Sequence, residues 1–422
     1  MEGPTSRAKG ALARTIALPT LTPHFHLPMP HPIPRLPVLD WGTFSGSRTP
    51  TIPCLLSQPR AGFSSSGRAS ILLALEMLNV GKGDKVLVPT YHCPTMIAPV
   101  VARGAEPVFY PLDQHGSPSL SWLQQNDCIG VRAILVAHFF GIPQRLSGIR
   151  QWCDNNHVRL IEDCAHALFG SSEGRPIGSW GDIAIASLTK FLPVPEGGCL
   201  VNNLPNQPVP PLHRLTARRQ VKVALDIVHT SVNHGRLHGF GLAVGSLYGV
   251  RSLLKGRPGY ATGAPQPIPG PGALAEADGF SIDAHQAHGA LSLACQWVAK
   301  RTPRQRIVAH RCQNYLLLAQ ELSHIAGMRP LFPSLPDNCA PYVFPLWVDI
   351  PDPGYAELRR LEFPVSRWDR LWPTVAPIAG DSGIKMSHHV LQIACHQDLT
   401  RAELQVMVDT LQRVYAPMQV SP

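Results

Sequence analysis

The stretch from residue 158 to residue 200, VRLIEDCAHALFGSSEGRPIGSWGDIAIASLTKFLPVPEGGCL, offers an acid and an amine at the ends of two strand-like runs. The apolar run 158–161 leads into Glu162 and Asp163, and the apolar run 183–188 leads into Lys190. Proline and glycine residues between 193 and 198 then predict a turn. Because ligands of open α/β sheets bind outside the carboxyl ends of the strands, we expect the acid and the amine to share one site.

This pairing favours one kind of chemistry. A buried lysine with a lowered pKa can attack an aldehyde and form a Schiff base. A carboxylate opposite such a lysine can keep a pyridine nitrogen protonated, which is the usual arrangement around pyridoxal phosphate. The sequence therefore predicts a pyridoxal phosphate site centred on Lys190 and an acid at the end of the preceding strand.

Composition limits the class of protein. Hydrophobic residues make up 44% of the 422 residues and charged ones 15%, which predicts substantial cores and room for two domains. The ten cysteines form no CxxC pair, as expected for reduced thiols in a cytoplasmic protein. No apolar stretch of about 18 residues suggests a spanning helix, so we expect no membrane contact. The net charge of +9 is scattered without interleaved aromatic residues, which favours anionic small molecules such as phosphates over nucleic acid.

The pattern along the chain predicts three parts. Residues 1–40 are a Pro-rich N-terminal extension, expected to be extended and solvated. Residues 41–297 form the large cofactor-binding domain, in which strand and helix signals alternate and so predict a parallel sheet flanked by helices. This domain includes a helical insertion at about 209–255 and a Pro/Gly loop at 256–272. Residues 298–422 form a small C-terminal domain. A helical pattern is expected to be interrupted near Pro303, and Thr400 and Glu403 have the spacing of a capping box.

The segment GFSSSGRASILLALEML, residues 62–78, predicts a helix whose first turn is capped by serine hydroxyls. The free amides and the dipole of a helix N-terminus favour a phosphate. Most capped helices bind no ligand, so this segment indicates a phosphate site only in combination with the other motifs.

Together these motifs resemble the DegT/DnrJ/EryC1/StrS family of PLP-dependent sugar aminotransferases. The matching segments are SGRASILLAL, VLVPTYHCPT, IEDCAHA, and SLTK followed by EGG, within residues 63–203. The similarity returns at IDAHQAHGALSLA and CHQDLTRAEL. The resemblance implies PLP-dependent transferase fold type I, an α/β fold. Its large domain has a mostly parallel sheet flanked by helices, and its smaller C-terminal domain is α+β.

The resemblance also implies a role for each matching residue. Lys190 is the catalytic residue that would hold the cofactor covalently and move a proton between substrate and cofactor. Asp163 would be the carboxylate on the pyridine nitrogen, and a negative partner there favours the protonated ring. His166 would lie near the cofactor's phenolic oxygen.

The phosphate group would be held by the turn at the start of the helix. The resemblance implies that the backbone amides of Gly67 and Arg68 bind the phosphate and that Ser187 donates a hydroxyl hydrogen bond to it. No metal is expected.

Three features depart from the family pattern. The segment 209–255 is longer than in typical relatives, and Arg218, Arg219 or Arg251 would reach a substrate's phosphates if the segment folds over the mouth of the site. The alternative is that this segment is a dimer contact.

Many relatives have an aromatic residue that stacks on the cofactor ring, and this position is Cys93 here, so Tyr91 or His92 is expected to take its place. The Asn-Tyr-Arg stretch that relatives lend to the neighbouring subunit reads Ser281–Ile282–Asp283. Whether a neighbouring subunit contributes to the site therefore stays open.

The implied function is an aminotransferase that moves an amino group from glutamate to a nucleotide-linked keto-sugar, in a homodimer. One alternative is a PLP-dependent sugar dehydratase or lyase. Relatives of that kind tend to replace the lysine with histidine, so Lys190 favours transfer. The other alternative is a non-catalytic regulatory homologue, and a pure scaffold does not need Asp163, Lys190 and the phosphate turn together.

Overall fold

A computed structural model describes residues 31–46, 52–239 and 280–415. Its centre is a seven-stranded sheet with the order β1-β9-β8-β5-β4-β2-β3. Five neighbouring strands from β3 to β8 are parallel, and β9 is antiparallel to both β8 and β1. The strands are β1 Ala61–Ser64, β2 Lys85–Pro89, β3 Glu106–Tyr110, β4 Val131–Ala137, β5 Arg159–Asp163, β8 Ile183–Ser187 and β9 Gly198–Asn202, while β6 Ser171–Ser172 and β7 Arg175–Pro176 form a separate hairpin.

Helices flank this sheet, so the predicted α/β class with a mostly parallel sheet is confirmed. The described helices are α1 Gly67–Met77, α2 Pro94–Ala102, α3 Leu120–Gln125, α4 Ser147–Asn156, α5 Ala217–Asn233, α6 Ala284–Ala287, α7 Leu293–Arg301, α8 Arg304–Leu322, α9 Gly354–Arg360, α10 Gly383–His389 and α11 Arg401–Tyr415. Within the described ranges, no helix is long and apolar enough to cross a membrane.

A second, antiparallel sheet follows in the C-terminal third of the chain. Its strands are β10 Met328–Pro330, β11 Val343–Val348, β12 Val365–Ser366 and β13 Val390–Ala394, in the order β10-β11-β13-β12. Helices α8 and α11 pack on it around a separate core. The division into domains stays a prediction, and the expected boundary at 297/298 falls within α7.

Helix α8 connects the two cores. Near its start, Ile307 packs in the core beside the large sheet, while Tyr315 and Leu318 pack in the core of the small one. The helix begins after Pro303, where the sequence predicts an interruption. The predicted capping box at α11 is also present, because Thr400 and Glu403 each accept a hydrogen bond from the other's backbone amide, at 2.7 and 3.2 Å.

The structure describes only part of the predicted helical insertion at 209–255. Helix α5 supplies part of the predicted helical segment 209–255. Residues 240–255 of that segment and the Pro/Gly loop 256–272 lie outside the described residues.

The two acids at the end of β5 face different surroundings, because successive side chains of a strand point to opposite faces. Glu162 is fully buried and accepts a hydrogen bond from His138 Nε2 at 3.0 Å. Burial alone would raise the pKa of Glu162, but the hydrogen bond and charge of His138, together with backbone amides, lower it. Those amides, at 2.6–3.0 Å, belong to Gly178, Trp180 and Gly181. Glu162 therefore holds a turn in place, which leaves Asp163 for the cavity.

We expect Glu162→Gln to destabilise the protein by about 2–4 kcal/mol, since an amide NH₂ would then oppose buried N–H donors. The depressed pKa also sets a pH dependence. The stabilisation from Glu162 is present at neutral pH and is lost in acid, as the pH falls from the ordinary carboxyl pKa through the depressed one. Urea denaturation at several pH values measures both effects. The control is Glu106→Gln at the exposed start of β3, and equal midpoints for the two variants would contradict the assignment.

Candidate active site

A cavity of about 820 Å³ lies at the carboxyl ends of β5 and β8. Its volume is typical of small-molecule sites, which span roughly 300–1,000 Å³. The structure brings every residue predicted for the site to the wall of this one cavity, namely Gly67, Arg68, Asp163, His166, Ser187 and Lys190.

Lys190 and Asp163 meet because β5 and β8 are parallel neighbours. Asp163 ends β5 in register with Ile185 of β8, and Lys190 closes the short 3-10 turn that follows β8. Burial lowers the pKa of Lys190, against the opposing influence of Cys93 and Asp163. Burial raises the pKa of Asp163, against the Ala165 amide at 2.8 Å and the charge of Lys190. The site thus holds a lysine whose pKa is lowered and a carboxyl group whose pKa is raised, both chiefly by burial.

His166 presents a single hydrogen-bond donor. Its Nδ1 accepts a hydrogen bond from the backbone amide of Phe140 at 3.4 Å, so the proton resides on Nε2. Burial, with the charge of Lys190, lowers the pKa of His166 well below its usual range and keeps the ring neutral. Nε2 is buried and has no hydrogen-bond partner among the described residues. Such a donor is costly to leave unpaired, which points to a bound acceptor oxygen.

The start of α1 forms a compact cradle beside β8. Ser66 caps the helix by accepting a hydrogen bond from the Ala69 amide at 3.1 Å. A Cβ atom on Gly67 would lie 3.0 Å from the Cβ atom of Ser187, so a larger residue would have to push Ser187 back by a few tenths of an ångström. Arg68 turns its guanidinium to the carbonyl of Ser281 at 2.5 Å, which leaves its backbone amide as its contribution to the cradle. The amides of this helix N-terminus and the Ser187 hydroxyl suit an anion such as phosphate.

The aromatic neighbours differ from the expectation. Cys93 lines the cavity, with its Sγ 2.7 Å from Thr95 Oγ1. Neither Tyr91 nor His92 is among the lining residues, since the Tyr91 hydroxyl accepts from Gln392 and His92 Nε2 accepts from the Trp372 amide.

The rings near the reactive groups instead come from the C-terminal third. Trp368 lines the cavity, and its ring centroid lies 4.8 Å from that of His166. The Tyr342 ring lies 4.5 Å from His166 and 5.3 Å from Lys190 Nζ. Neither residue was identified from the sequence, because each belongs to a segment distant in the chain.

Arg311 of α8 is a further residue that sequence reasoning missed. It is fully buried, and its guanidinium donates to the Lys190 carbonyl at 2.7 Å and the Tyr342 carbonyl at 2.9 Å. Its remaining acceptors are the Pro341 carbonyl and Gln397 Oε1. Arg311 thereby fixes the backbone that follows the lysine. The available signal was its place on the buried stripe of α8, midway between Ile307 and Tyr315.

The N-terminal extension also corrects an expectation. Residues 1–30 lie outside the described residues, but residues 33–39, which we call the strap, line the cavity. A solvated arm is wrong for the strap, because Pro34, Pro37 and Val38 are buried. The proline content of the N-terminal extension predicted an exposed segment, although residues 33–39, IPRLPVL, contain only one polar side chain.

One of the arginines expected to reach a substrate from the segment 209–255 has a partner in the protein. Arg219 pairs with Glu196 at 2.9 Å, and Glu196 lines the cavity. Arg251 lies outside the described residues. Asp283 belongs to the stretch Ser281–Ile282–Asp283, which replaces the Asn-Tyr-Arg of relatives. Its carboxylate caps α6 by accepting a hydrogen bond from the Gln286 amide.

Comparison with known proteins matches one segment of the chain to a known family. Residues 59–208 match the model of the DegT/DnrJ/EryC1/StrS aminotransferase family. Over 124 residues the chain is 33% identical to the UDP-N-acetyl-3-dehydro-alpha-D-glucosamine 3-aminotransferase of Acidithiobacillus ferrooxidans, which covers 29% of this chain and 34% of that protein. It is 34% identical over 143 residues to the L-glutamine:scyllo-inosose aminotransferase of Streptomyces griseus, with 33% of this chain and 34% of that protein covered.

The chain thus spans about a third of the length of these curated relatives. Over a longer range it shares its fold with the crystal structure of the aminotransferase TlmJ from Streptoalloteichus hindustanus. The TM-score is 0.57 and the identity 20%, with 86% of this chain and 87% of that chain covered. The resemblance inferred from the sequence is therefore confirmed for residues 59–208, which match the model of the DegT/DnrJ/EryC1/StrS aminotransferase family.

Proposed function

We propose that this protein is a PLP-dependent aminotransferase that moves an amino group from glutamate to a nucleotide-linked keto-sugar. The observation that carries the proposal is the convergence of Lys190 and Asp163 on one cavity beside the glycine-based cradle at α1. An amine with a lowered pKa, a buried acid and an anion cradle in one cavity match the groups that pyridoxal phosphate requires. The match of residues 59–208 to the model of an aminotransferase family supports the same conclusion.

The residues present fit this cofactor. Lys190 would hold it covalently, and the Asp163 carboxylate would accept a hydrogen bond from its protonated ring nitrogen. His166 Nε2–H, unpaired among the described residues, would donate to its phenolic oxygen. The amides of Gly67 and Arg68 and the Ser187 hydroxyl would hold its phosphate.

Lys190 and Asp163 would also act during the reaction of the substrate. Pyridoxal phosphate, when bound, supplies an electron sink for the carbanion that forms at the substrate's α-carbon. The Lys190 amine would move the proton at that carbon, and its lowered pKa favours such a role as a base. The Asp163 carboxylate would stabilise a positive charge at the ring nitrogen.

The names of two relatives bear on the choice of amino acceptor and donor, whereas glutamate as donor follows from the resemblance seen in the sequence. One relative's name contains a UDP-linked dehydro-sugar, which supports a nucleotide-linked keto-sugar as acceptor. The other relative's name gives L-glutamine as donor and scyllo-inosose as acceptor, so glutamine and a cyclic ketone form the second candidate pair. A dehydratase or lyase and a non-catalytic homologue are less favoured because the lysine, the acid and the cradle occur together.

We expect reduction with borohydride in the presence of pyridoxal phosphate to place the pyridoxyl group on Lys190, as read by peptide mass spectrometry. Asp163→Asn should keep this label on Lys190 but slow the half-reaction with glutamate by about 10²–10³, because the ring nitrogen loses its charge partner. Lys190→Ala is the control that removes the label. A label on another lysine, or an Asp163→Asn variant with the wild-type rate, would contradict the roles assigned.

The reaction itself is tested by incubating the holoenzyme with glutamate or glutamine and a panel of acceptors. The panel contains nucleotide-linked keto-sugars and scyllo-inosose, and release of the corresponding keto acid is followed with each pair. We expect turnover with glutamate and a nucleotide-linked sugar. Turnover only with glutamine and scyllo-inosose would assign the second candidate pair. Conversion of the cofactor to its amine form without transfer to any acceptor would exclude a sugar as the substrate.

We also propose a cytoplasmic location and a three-part division of the chain at about 40/41 and 297/298. All ten cysteines lie in the described part of the chain as free thiols, which suits a reducing compartment. The separate cores of the two sheets support the division between the large and the small domain.

A homodimer is proposed from an exposed apolar face on the packed helices α5 and α7. Val221, Leu293 and Trp297 are 60%, 68% and 50% exposed there, which is unusual for side chains of this kind. We expect sedimentation at micromolar concentration to give about twice the chain mass of 45.9 kDa. Trp297→Glu should shift the protein toward monomer, and an unchanged mass for this variant would place the interface elsewhere.

A further inference from the structure

The strap bridges the two cores of the molecule and is held against α5. At one end, Ile33 packs against the core of the small antiparallel sheet. At the other end, Leu39 packs against the core beside β8 and β9. The His396 ring donates a hydrogen bond to the Pro34 carbonyl at 2.9 Å, and the Leu39 amide donates to Ser231 Oγ of α5 at 2.9 Å.

One face of α5 lies beside the strap at the cavity. Ile227, Thr230 and Ser231 of this helix line the cavity, as does its C-cap residue, His234. Their spacing of three and four residues places them on one face of the helix. The groups assigned to the cofactor come instead from the start of α1 and the ends of β5 and β8. This face of α5 is therefore a part of the wall that the substrate can contact.

Two of the four side chains on this face have a structural role. Ser231 Oγ accepts the hydrogen bond from the strap and donates to the Ile227 carbonyl at 2.9 Å. Ile227 is buried and offers only apolar surface. The polar groups that remain on this face are the Thr230 hydroxyl and the His234 imidazole.

The backbone of α5 fixes the tautomer of His234. Its Nδ1 lies 2.8 Å from the Thr230 carbonyl, which can only accept, so Nδ1 carries the proton. Burial lowers the pKa of His234, and the charges of Arg236 and His31 act in the same direction, against the Thr230 hydrogen bond and the charge of Glu403. The ring is therefore neutral at neutral pH, and its Nε2 presents a lone pair.

This lone pair is accessible. Among the described residues, no group donates a hydrogen bond to His234 Nε2, and the nitrogen is not sealed from solvent. The imidazole is half-buried at the cavity wall. Because Nδ1 is turned toward the helix's own backbone, Nε2 lies on the edge of the ring that faces away from it.

The lone pair on His234 Nε2 selects for a hydrogen-bond donor. A carboxylate or an ionised phosphate offers only acceptor oxygens, so the anionic groups of glutamate and of a nucleotide do not suit it. A hydroxyl group carries a proton that it can donate. Sugars and cyclitols carry several ring hydroxyls, whereas glutamate carries none. This nitrogen therefore fits the amino acceptor rather than the amino donor.

The surroundings of His234 match the rest of such a ring. The Thr230 hydroxyl on the same helix face can donate to a second hydroxyl group or accept from it. Apolar side chains complete this part of the wall, including those of Val38, Ile227 and Phe363. A sugar or cyclitol ring likewise combines hydroxyl groups with C–H surface.

We propose that His234 is a specificity-determining residue whose Nε2 accepts a hydrogen bond from a ring hydroxyl group of the amino acceptor. The inference rests on the proposed function for the identity of that acceptor, a nucleotide-linked sugar or a cyclitol, which have the ring hydroxyl in common. His234 lies outside residues 59–208, so the family match does not assign it.

The first test measures binding without turnover. The full-length holoenzyme is titrated in a calorimeter with UDP-glucose and with scyllo-inositol, which carry ring hydroxyls but no ketone. We expect His234→Phe to weaken one of these ligands by roughly 2- to 10-fold, the loss of one hydrogen bond. His234→Gln, whose side-chain carbonyl can accept, should weaken it less. Glutarate, which has the donor's carboxylates but no hydroxyl, should bind His234→Phe and the wild type alike.

The second test uses the wild-type protein. Diethyl pyrocarbonate acylates an imidazole nitrogen that carries a lone pair, and peptide mass spectrometry locates the modification. We expect UDP-glucose or scyllo-inositol to slow the modification of His234. The control is His324, an exposed residue outside the cavity, which should react at the same rate with and without ligand. If His234→Phe does not fold, this measurement decides alone.

The control variant for the titrations is His324→Phe. The inference is overturned if His234→Phe binds all three ligands as His324→Phe does, or if it loses glutarate as much as the polyols. It is equally overturned if neither polyol binds the wild-type protein at millimolar concentration, or if neither slows the modification of His234. Binding that depends on His234 in a protein that transfers no amino group would instead refute the proposed function and leave the assignment of His234 in place.

Discussion

The parallel pairing of β5 with β8 is the constraint on which the site depends. It brings the end of one strand and the turn after the next to the same edge of the sheet, so an acid and an amine that are 27 residues apart in sequence face one cavity. The pleat of β5 then directs the two neighbouring acids to opposite faces of the sheet. Glu162 accepts hydrogen bonds from the turn at 178–181, whereas burial raises the pKa of Asp163 against the Ala165 amide and the charge of Lys190. One strand thereby supplies a structural carboxylate and a second carboxyl group that faces the cavity.

The second determinant is a buried cation that links the site to the rest of the molecule. Arg311 extends from α8, the helix shared by both cores, and donates a hydrogen bond to the Lys190 carbonyl. Its charge is satisfied by carbonyl and amide oxygens, with the Phe191 ring at 4.5 Å. A buried charge is tolerated only when it is well bonded. The position of the lysine backbone is therefore tied to the packing of the C-terminal third.

The sequence predicted those features that arise within one stretch of chain. Strand ends, the cap at Ser66, the capping box at Thr400 and the break at Pro303 depend on neighbours in sequence, and all occur where expected. The meeting of Asp163 and Lys190 was also predictable, since alternating strands and helices predict a parallel sheet, and ligands bind at the carboxyl ends of its strands. The contacts of Tyr342, Trp368 and Arg311 were not, because each joins segments more than a hundred residues apart. The strap was missed for the same reason, since its partners, Ser231 and His396, are remote.

The strap has a consequence for how the protein can vary. It lies before residue 40, whereas the family match begins at residue 59, so one wall of the cavity lies outside the stretch that carries Asp163 and Lys190. Substitutions in the strap can reshape the cavity without altering the acid, the amine or the anion cradle. Two proteins with the same residues 59–208 can thus differ in the shape of the pocket through substitutions at 33–39 that keep the contacts with both cores.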